Sequence, residues 1–350
     1  MRACVLTGTG GDPADNLKII DVPDAPTPQA GEVRVAVRAA ALNHLDLFVA
    51  EGLPGSGPRF PHVVGADGAG VVESVGSGVT NVRVGDRVLV NPGISDYTCE
   101  FCLAGEHSLC VNYRLLGEHL PGTIAQLVTL PAPNVARVPS LSPELTWAEG
   151  AAFSLVTLTA WRMVVTRAQL KAGETVLIWG IGGGVSLAAL QIAKLLGARA
   201  IVTSSHDAKL AAARRLGADV TINHRTQKVS QEVRALTEKR GVEVVVENVG
   251  EATWDESLRC LKRGGRVVTC GATSGPQVRM DLRRVFWHHY TIMGSTMGNA
   301  REYAEVVRRL GAGELRPIVD RVYPMSEARQ AYERLAKGEQ LGKVVVEVSQ

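Results

Sequence analysis

The sequence predicts an α/β protein in which a parallel sheet of βαβ units follows an antiparallel, barrel-like β region. Three observations carry this. Through residues 1–150, short β-like runs at 32–37, 69–76 and 85–90 close on Gly- or Asp-containing turns. From near residue 155, strands alternate with helical patterns. The glycine run Gly180-Ile181-Gly182-Gly183-Gly184 stands where the first of those strands meets its helix.

The elements follow in order. Residues 174–179 read as a buried strand, and the helix pattern at 185–196 ends at Gly197. A strand at 200–203 precedes a helix at 207–216, closed by Gly217. Further strands fall at 220–223, 242–247, 266–270 and 291–294. From about residue 296 the pattern changes to amphipathic helices at 300–310 and 326–336, then a last strand at 343–348.

Size and composition bound the function. A chain of 350 residues predicts two domains or one large one. Hydrophobic residues at 45% and charged residues at 21% exclude wholesale disorder, and 37 glycines without a three-residue period exclude collagen. A net charge of +3 is too small for a dedicated polyanion binder, so no nucleic acid is expected. The start has no apolar h-region, and apolar windows such as 176–190 are broken by glycines short of the ~20 residues a membrane helix needs. A soluble, cytoplasmic protein is expected.

Gly180, Gly182, Gly183, Gly184 and Val185 form a candidate phosphate cradle. Glycine lets the backbone approach a pyrophosphate, and the helix N-terminus offers free N–H groups and partial positive charge. The alternative is a tight strand-to-helix turn. A cofactor ribose is expected at the end of the second strand, where NAD binders place an acid. Here Ser204 and Ser205 open that turn and Asp207 comes later. Small hydroxyls with Lys209 suit a 2′-phosphate, and Arg225 adds a second cation, so NADPH is favoured with NADH possible. The alternative makes Asp207 a helix cap and Lys209 a solvated helix residue.

Six cysteines are present, three of them in Asp96-x2-Cys99-x2-Cys102-x7-Cys110. Three thiolates and a carboxylate complete a closed tetrahedral shell, so one structural zinc is expected in a lobe at about 94–112. His107 is a possible substitute for Asp96, and free reduced thiols are the alternative.

Taken together, the chain resembles the medium-chain dehydrogenase/reductase superfamily over almost its whole length. The resemblance rests on residues 61–72 (PHVVGADGAGVV), on Val84-Gly85-Asp86-Arg87-Val88, on the cysteine lobe, on the glycine run and on Gly342-Lys343-Val344-Val345. It implies a Rossmann coenzyme domain, a doubly wound parallel sheet at 155–295, inserted in a GroES-like β-barrel catalytic domain formed by 1–154 plus 296–350. It also implies a small-molecule substrate and a homodimer or homotetramer.

Departures from the family shape the chemistry. Zinc-dependent alcohol dehydrogenases of this family hold a catalytic zinc with a Cys, a Gly-His-Glu motif and a third Cys or acid. Those positions here are Asn43, Gly65-Ala66-Asp67 and Leu155. Ala and Leu cannot ligate zinc, and an Asn amide is a poor ligand. Asn43-His44-Leu45-Asp46 and the Gly-x-Asp-x-Ala-Gly form resemble the quinone oxidoreductase and enoyl reductase branch, which transfers hydride without a catalytic metal. Asn43 is expected to orient substrate through its amide N–H, with local turn capping as the alternative. His44 is expected to meet the pyrophosphate, with a surface or internally satisfied histidine as the alternative, and Asp67 joins the candidate catalytic set. His62 and His119, with Asp46, Asp67 or Glu118, could build a displaced metal site; two ordinary polar histidines is the alternative. Trp287, His288, His289 and Tyr290 could line the cleft or a subunit interface, with apolar packing as the default for the aromatics. Arg283 and Arg284 read as solvated, or as contacts for an anionic tail such as a coenzyme A phosphate.

The leading expectation is an NADPH-dependent reductase of a conjugated C=C in an enone, quinone or enoyl thioester. The alternatives are an alcohol dehydrogenase or carbonyl reductase with a displaced zinc, and an NADPH-binding protein without turnover.

Overall fold

The computed structural model describes residues 1–53, 58–138 and 144–349. The chain divides into two compact units, Met1–Val156 with Gly298–Gln350, and Thr157–Met297.

The first unit is built on a seven-stranded sheet. Its strands run in the order Val135–Arg137, Arg87–Val90, Asp67–Val75, Glu32–Ala41, Lys343–Glu347, Val319–Pro324, with Leu127–Pro131 also pairing Glu32–Ala41. In Glu32–Ala41, buried Val33, Val35 and Val37 alternate with half-buried positions. They pack on Val72, Val88, Val128, Val344 and Val346. A one-residue slip would turn the three valines outward and forfeit roughly 5–9 kcal/mol, so the register is firmly set. In that register Ala41 faces both Val345 and Asp67. Leu42 N donates to Val344 O at 2.9 Å, and two residues beyond Ala41 the same antiparallel register sets Asn43 opposite Lys343.

Asn43 is also the N-cap of the helix His44–Glu51. Its backbone N–H donates to Asp46 Oδ2 at 2.7 Å, and Gly65 N donates to Asp46 Oδ1 at 3.1 Å. Asp46 therefore staples the helix start to the turn before Asp67. Gly65 has φ +95°, and a Cβ there would lie 2.6 Å from Ile124 Cγ1, so only glycine fits the turn.

The second unit is a six-stranded parallel sheet in the order Val220–Asn223, Arg199–Ser204, Thr175–Ile178, Val242–Glu247, Leu261–Thr269, Thr291–Gly294. Helices Gly184–Leu195, Asp207–Arg215, Val229–Leu236 and Trp254–Cys260 connect its first five strands. The chain moves outward from Thr175–Ile178 in one direction, then returns to its other side at Val242–Glu247. That reversal is the switch point at which such sheets bind ligands beyond their carboxyl ends.

Some element bounds differ from the sequence expectation. The strand expected at 266–270 starts earlier, as Leu261–Thr269. The helix expected at 326–336 opens with a tight 3-10 turn, Met325–Glu327, before Ala328–Ala336. Among the described residues no helix is long and apolar enough to cross a membrane.

Candidate functional site

Asn43, Asp67, Leu155 and Lys343 meet in one buried polar cluster within the first unit. Lys343 Nζ hydrogen-bonds Asn43 Oδ1 and lies 3.1 Å from Asp67 Oδ2. Asn43 Nδ2 donates to Asp67 Oδ2 at 3.1 Å and to Ala41 O at 3.3 Å. Leu155 N donates to Asp67 Oδ1 at 2.8 Å. The carboxylate is fully buried, and the Lys343 side chain is 4% exposed. The positions that the family resemblance assigns to a catalytic zinc are thus close in space, but an ammonium stands among them. Ala66 and Leu155 bring no donor side chain there. This donor set does not fit a zinc ion.

The geometry corrects two expectations. Asn43 was expected to offer an amide N–H to substrate, yet both of its amide hydrogens are already donated within the protein. Asp67 was placed in the catalytic set, but it is enclosed and accepts from three donors. Both residues hold this part of the unit together. Sequence reasoning missed Lys343, quoted only as part of the closing Gly342-Lys343-Val344-Val345 motif. A lone lysine at the start of an apolar strand was the available signal.

Asp46 sits beneath this cluster. Burial raises its carboxyl to about 6, against the two backbone N–H donors and Lys343, which lower it. Next to it, His44 is shifted down by burial and by Lys343, so its imidazole is held neutral and offers a hydrogen bond rather than a charge.

The glycine run in the second unit turns sharply between the strand Thr175–Ile178 and the helix Gly184–Leu195. Gly180 and Gly182 adopt φ +65° and +125°. Gly183 caps the helix Gly184–Leu195 without any side-chain cap, which leaves the N–H groups of Gly184, Val185 and Ser186 without intrahelical partners. Ile181 N donates to Thr203 O at 2.7 Å, Ser186 Oγ to Trp179 O at 2.7 Å, and Asn248 Nδ2 to Ser186 Oγ at 2.9 Å. These bonds tie the loop to the neighbouring strands. Asn248 was not among the expected residues.

At the end of the second strand, Ser204 Oγ accepts from His206 N at 3.2 Å, and Ser205 Oγ lies 2.9 Å from His206 Nδ1. Asp207 points away from a ribose-binding role, accepting from Asn223 Nδ2 at 2.7 Å. Lys209 is half-buried on the first turn of Asp207–Arg215, and Arg225 is exposed just beyond the strand Val220–Asn223. Close by, a cavity of about 420 Å³ opens at the carboxyl ends of the strands, lined by Trp179, His224, Gln227, Val249, Thr253 and Glu256 among others. The Trp179 and His224 rings stand 6.0 Å apart.

The cysteine lobe brings its donors together. One ligand atom from each of Asp96, Cys99, Cys102 and Cys110 lies within 4.8 Å of all the others. A tetrahedral Zn–S shell has edges of about 3.8 Å, so a small contraction completes it. Asp96 is oriented by N–H groups of Thr98 and Cys99 at 2.8 and 2.9 Å and by Asn112 Nδ2 at 2.8 Å. His107 is not in this set; its ring faces Tyr97 and its Nδ1 accepts from Ala300 N at 3.4 Å.

His62 and His119 do not form a second such group among the described residues. The His62 ring donates to the Gly117 backbone and its Nε2 is buried without a partner. His119 Nδ1 accepts from Leu115 N, and its Nε2 is 3.7 Å from Glu118. Arg283 is held by Asp281 at 3.0 Å, and Arg284 faces the second unit's own helices.

A glycine-cradled parallel sheet together with a GroES-like barrel defines a nicotinamide-dependent oxidoreductase, and comparison with known proteins agrees. The model for the alcohol dehydrogenase GroES-like domain matches residues 29–140. That for the zinc-binding dehydrogenase matches residues 184–312. An acryloyl-coenzyme A reductase of Metallosphaera sedula is 31% identical, covering 99% of each chain. The crystal structure of an NAD-dependent alcohol dehydrogenase is 42% identical with TM-score 0.94, covering 100% of each chain. A 2-octenoyl-CoA carboxylase reductase, solved with NADP and 2-octenoyl-CoA, is 29% identical with TM-score 0.90, covering 100% of this chain and 88% of that one. The chain belongs to the medium-chain dehydrogenase/reductase superfamily and is an oxidoreductase, so a non-catalytic NADPH-binding role is set aside.

Two stability predictions follow from the cluster. Lys343→Met strands a buried carboxylate and is expected to cost about 3–5 kcal/mol by chemical denaturation. The double variant Asp67→Asn/Lys343→Met is expected to lose clearly less than the sum of the two single changes; additive losses would show that the pair is not coupled. Asp46 has a folded value near 6 against an ordinary 3.8, so the native state holds its proton more tightly than the unfolded chain. Its contribution is greatest below pH 4 and falls as pH rises to 6, by roughly 3 kcal/mol. The stability advantage of wild type over Asp46→Asn should therefore shrink between pH 4 and 7; a constant difference would mean that Asp46 titrates normally.

Proposed function

We propose that the protein is an NADPH-dependent reductase of conjugated carbon–carbon double bonds, with an α,β-unsaturated thioester as its substrate class. The observation that carries this reading is the closed cluster at Asn43, Asp67 and Lys343. The Lys343 ammonium and the Asp67 carboxylate neutralise one another at 3.1 Å, so the cluster has no uncompensated charge with which to polarise a plain carbonyl. An isolated aldehyde or ketone needs such an electrophile. A double bond conjugated to a thioester carries its own, because negative charge developing at the α-carbon spreads onto the thioester oxygen.

The nicotinamide supplies the hydride when bound. Gly180, Gly182, Gly183, Gly184 and Val185 would cradle its pyrophosphate through backbone N–H groups. Ser204, Ser205, Lys209 and Arg225 would meet a 2′-phosphate, since serines open the turn after the second strand and Asp207 is engaged by Asn223. The cavity lined by Trp179 and His224 suits a planar base. Zinc in the cysteine lobe would be structural, because four protein donors leave no open position.

Two relatives named for enoyl-CoA chemistry support the reading, one of them solved with NADP. The 42% identity to an NAD-dependent alcohol dehydrogenase favours the second reading, an alcohol dehydrogenase or carbonyl reductase. Against it stands the donor set around Lys343. A second copy of this chain is the expected partner. Thr291–Gly294 is the outermost strand of its sheet, and the adjoining helix Leu282–His288 exposes Phe286 and Trp287 at 63% and 65%.

Oxidation of NADPH should be at least about 100-fold more efficient in kcat/KM with crotonyl- or acryloyl-coenzyme A than with unconjugated aldehydes, a difference of roughly 3 kcal/mol. Faster turnover of aldehydes would replace this reading with the second. Lys209→Ala should raise KM for NADPH about tenfold and leave NADH nearly unchanged, the loss of one charge-assisted contact. Equal weakening of both cofactors would remove the 2′-phosphate assignment.

A further inference from the structure

The second unit has another open cavity, of about 510 Å³, at the edge of the sheet opposite the glycine run. The last turns of Val229–Leu236, Trp254–Cys260 and Leu282–His288 border it, together with Ser230, Gln231 and Arg284 from the first turns of the first and third of these helices. Its lining shares no residue with the glycine run, but Ser230, Gln231, Leu258 and Arg259 continue the two helices that also border the Trp179–His224 cavity at Val229, Thr253 and Glu256. Arg234, Lys239, Arg259 and Arg284 line the cavity, along with His288 and Tyr290, and no carboxylate does among the described residues.

Helix C-termini attract cations, which accounts for part of this set. Arg234 donates to Lys239 O at 2.6 Å and to Arg259 O at 3.2 Å, and so caps two chain ends. Arg259 pairs with Asp255 at 2.7 Å and more distantly with Glu256 at 3.9 Å. The rest is not accounted for. Three helix ends carry about half a negative charge each. With Asp255 and Glu256 they fall short of the four lining cations and the adjacent Arg263 by roughly one to two charges. The leftover groups also lack hydrogen-bond partners. Arg284 Nη1 is buried without a hydrogen bond and comes no nearer than 3.6 Å to Asp255. His288 Nδ1 is likewise buried and unpartnered. Burial and the surrounding Arg263, Arg234 and Arg284 hold the His288 imidazole neutral.

We propose that this groove is a binding site for a multiply charged phosphate anion, separate from the nicotinamide cofactor's cradle. Lys239, Arg284 and His288 would be its contacts, with Arg234 and Arg259 fixing the walls. Arg284 and His288 stand one helical turn apart, whereas the exposed Leu282 and Phe286 stand a turn apart on a different face of the same helix. Phe286, on the apolar face assigned above to a second copy, thus stands on another side of the helix from the groove, while Trp287, three residues from Arg284 and next to His288, borders the groove.

The test uses full-length protein saturated with NADPH, so that the glycine cradle is filled. It is titrated with sodium pyrophosphate at constant ionic strength by calorimetry. Saturable binding of one pyrophosphate per chain is expected, weakened at least tenfold in both Lys239→Ala and Arg284→Ala. His288, followed by NMR, should shift to a higher pKa when the anion binds. No saturable heat, or an affinity that both groove variants leave untouched, would overturn the proposal.

Discussion

The buried contact between Lys343 and Asp67 constrains everything around it. An ammonium and a carboxylate inside a barrel are tolerable only as a pair with their remaining hydrogen bonds filled. Asn43 Oδ1, Asn43 Nδ2 and Leu155 N fill them. Removing any one partner would leave a buried charge or donor exposed to a low-dielectric interior. The cluster therefore fixes the start of the helix His44–Glu51, the Gly65–Asp67 turn and the last strand relative to each other. It is a structural knot placed where zinc-dependent relatives are expected to keep an electrophile.

The chemistry proposed for the protein depends on that substitution. A neutral, self-satisfied cluster can shape a site without drawing electrons from a substrate. The substrate must then bring its own activation, which a conjugated thioester does. The second unit is complementary. Its glycine loop is braced by Thr203, Ser186 and Asn248, so helix N–H groups are held in place before any phosphate arrives.

What the sequence revealed depended on how far apart the partners lie along the chain. The glycine run, the strand-to-helix alternation and the cysteine lobe are local patterns: the strands and helices alternate as read, the glycines stand between a strand and its helix, and the donors of the cysteine lobe gather within 4.8 Å. Asp96, Cys99, Cys102 and Cys110 span fifteen positions, so their spacing alone signals convergence. Lys343 is 300 residues from Asn43, and only the register of Glu32–Ala41 against Lys343–Glu347 brings them together. The residue types at 43, 66 and 155 showed that zinc ligands were missing, but not that a lysine stood among those positions. Nor could they show that Asn43 spends both amide hydrogens internally. The cationic groove was hidden for the same reason, since its residues come from three separate segments. Asp207 differs from the helix cap that its position allowed: His206 is the N-cap, and the Asp207 carboxylate accepts from Asn223 instead.

Anomalous diffraction at the zinc edge, from crystals grown with zinc and NADPH, tests the central claim most directly. One peak per chain is predicted, about 2.0–2.3 Å from the donor atoms of Asp96, Cys99, Cys102 and Cys110, with Lys343 Nζ still bridging Asn43 and Asp67. A second peak bound by Asp67, with the lysine displaced, would contradict it.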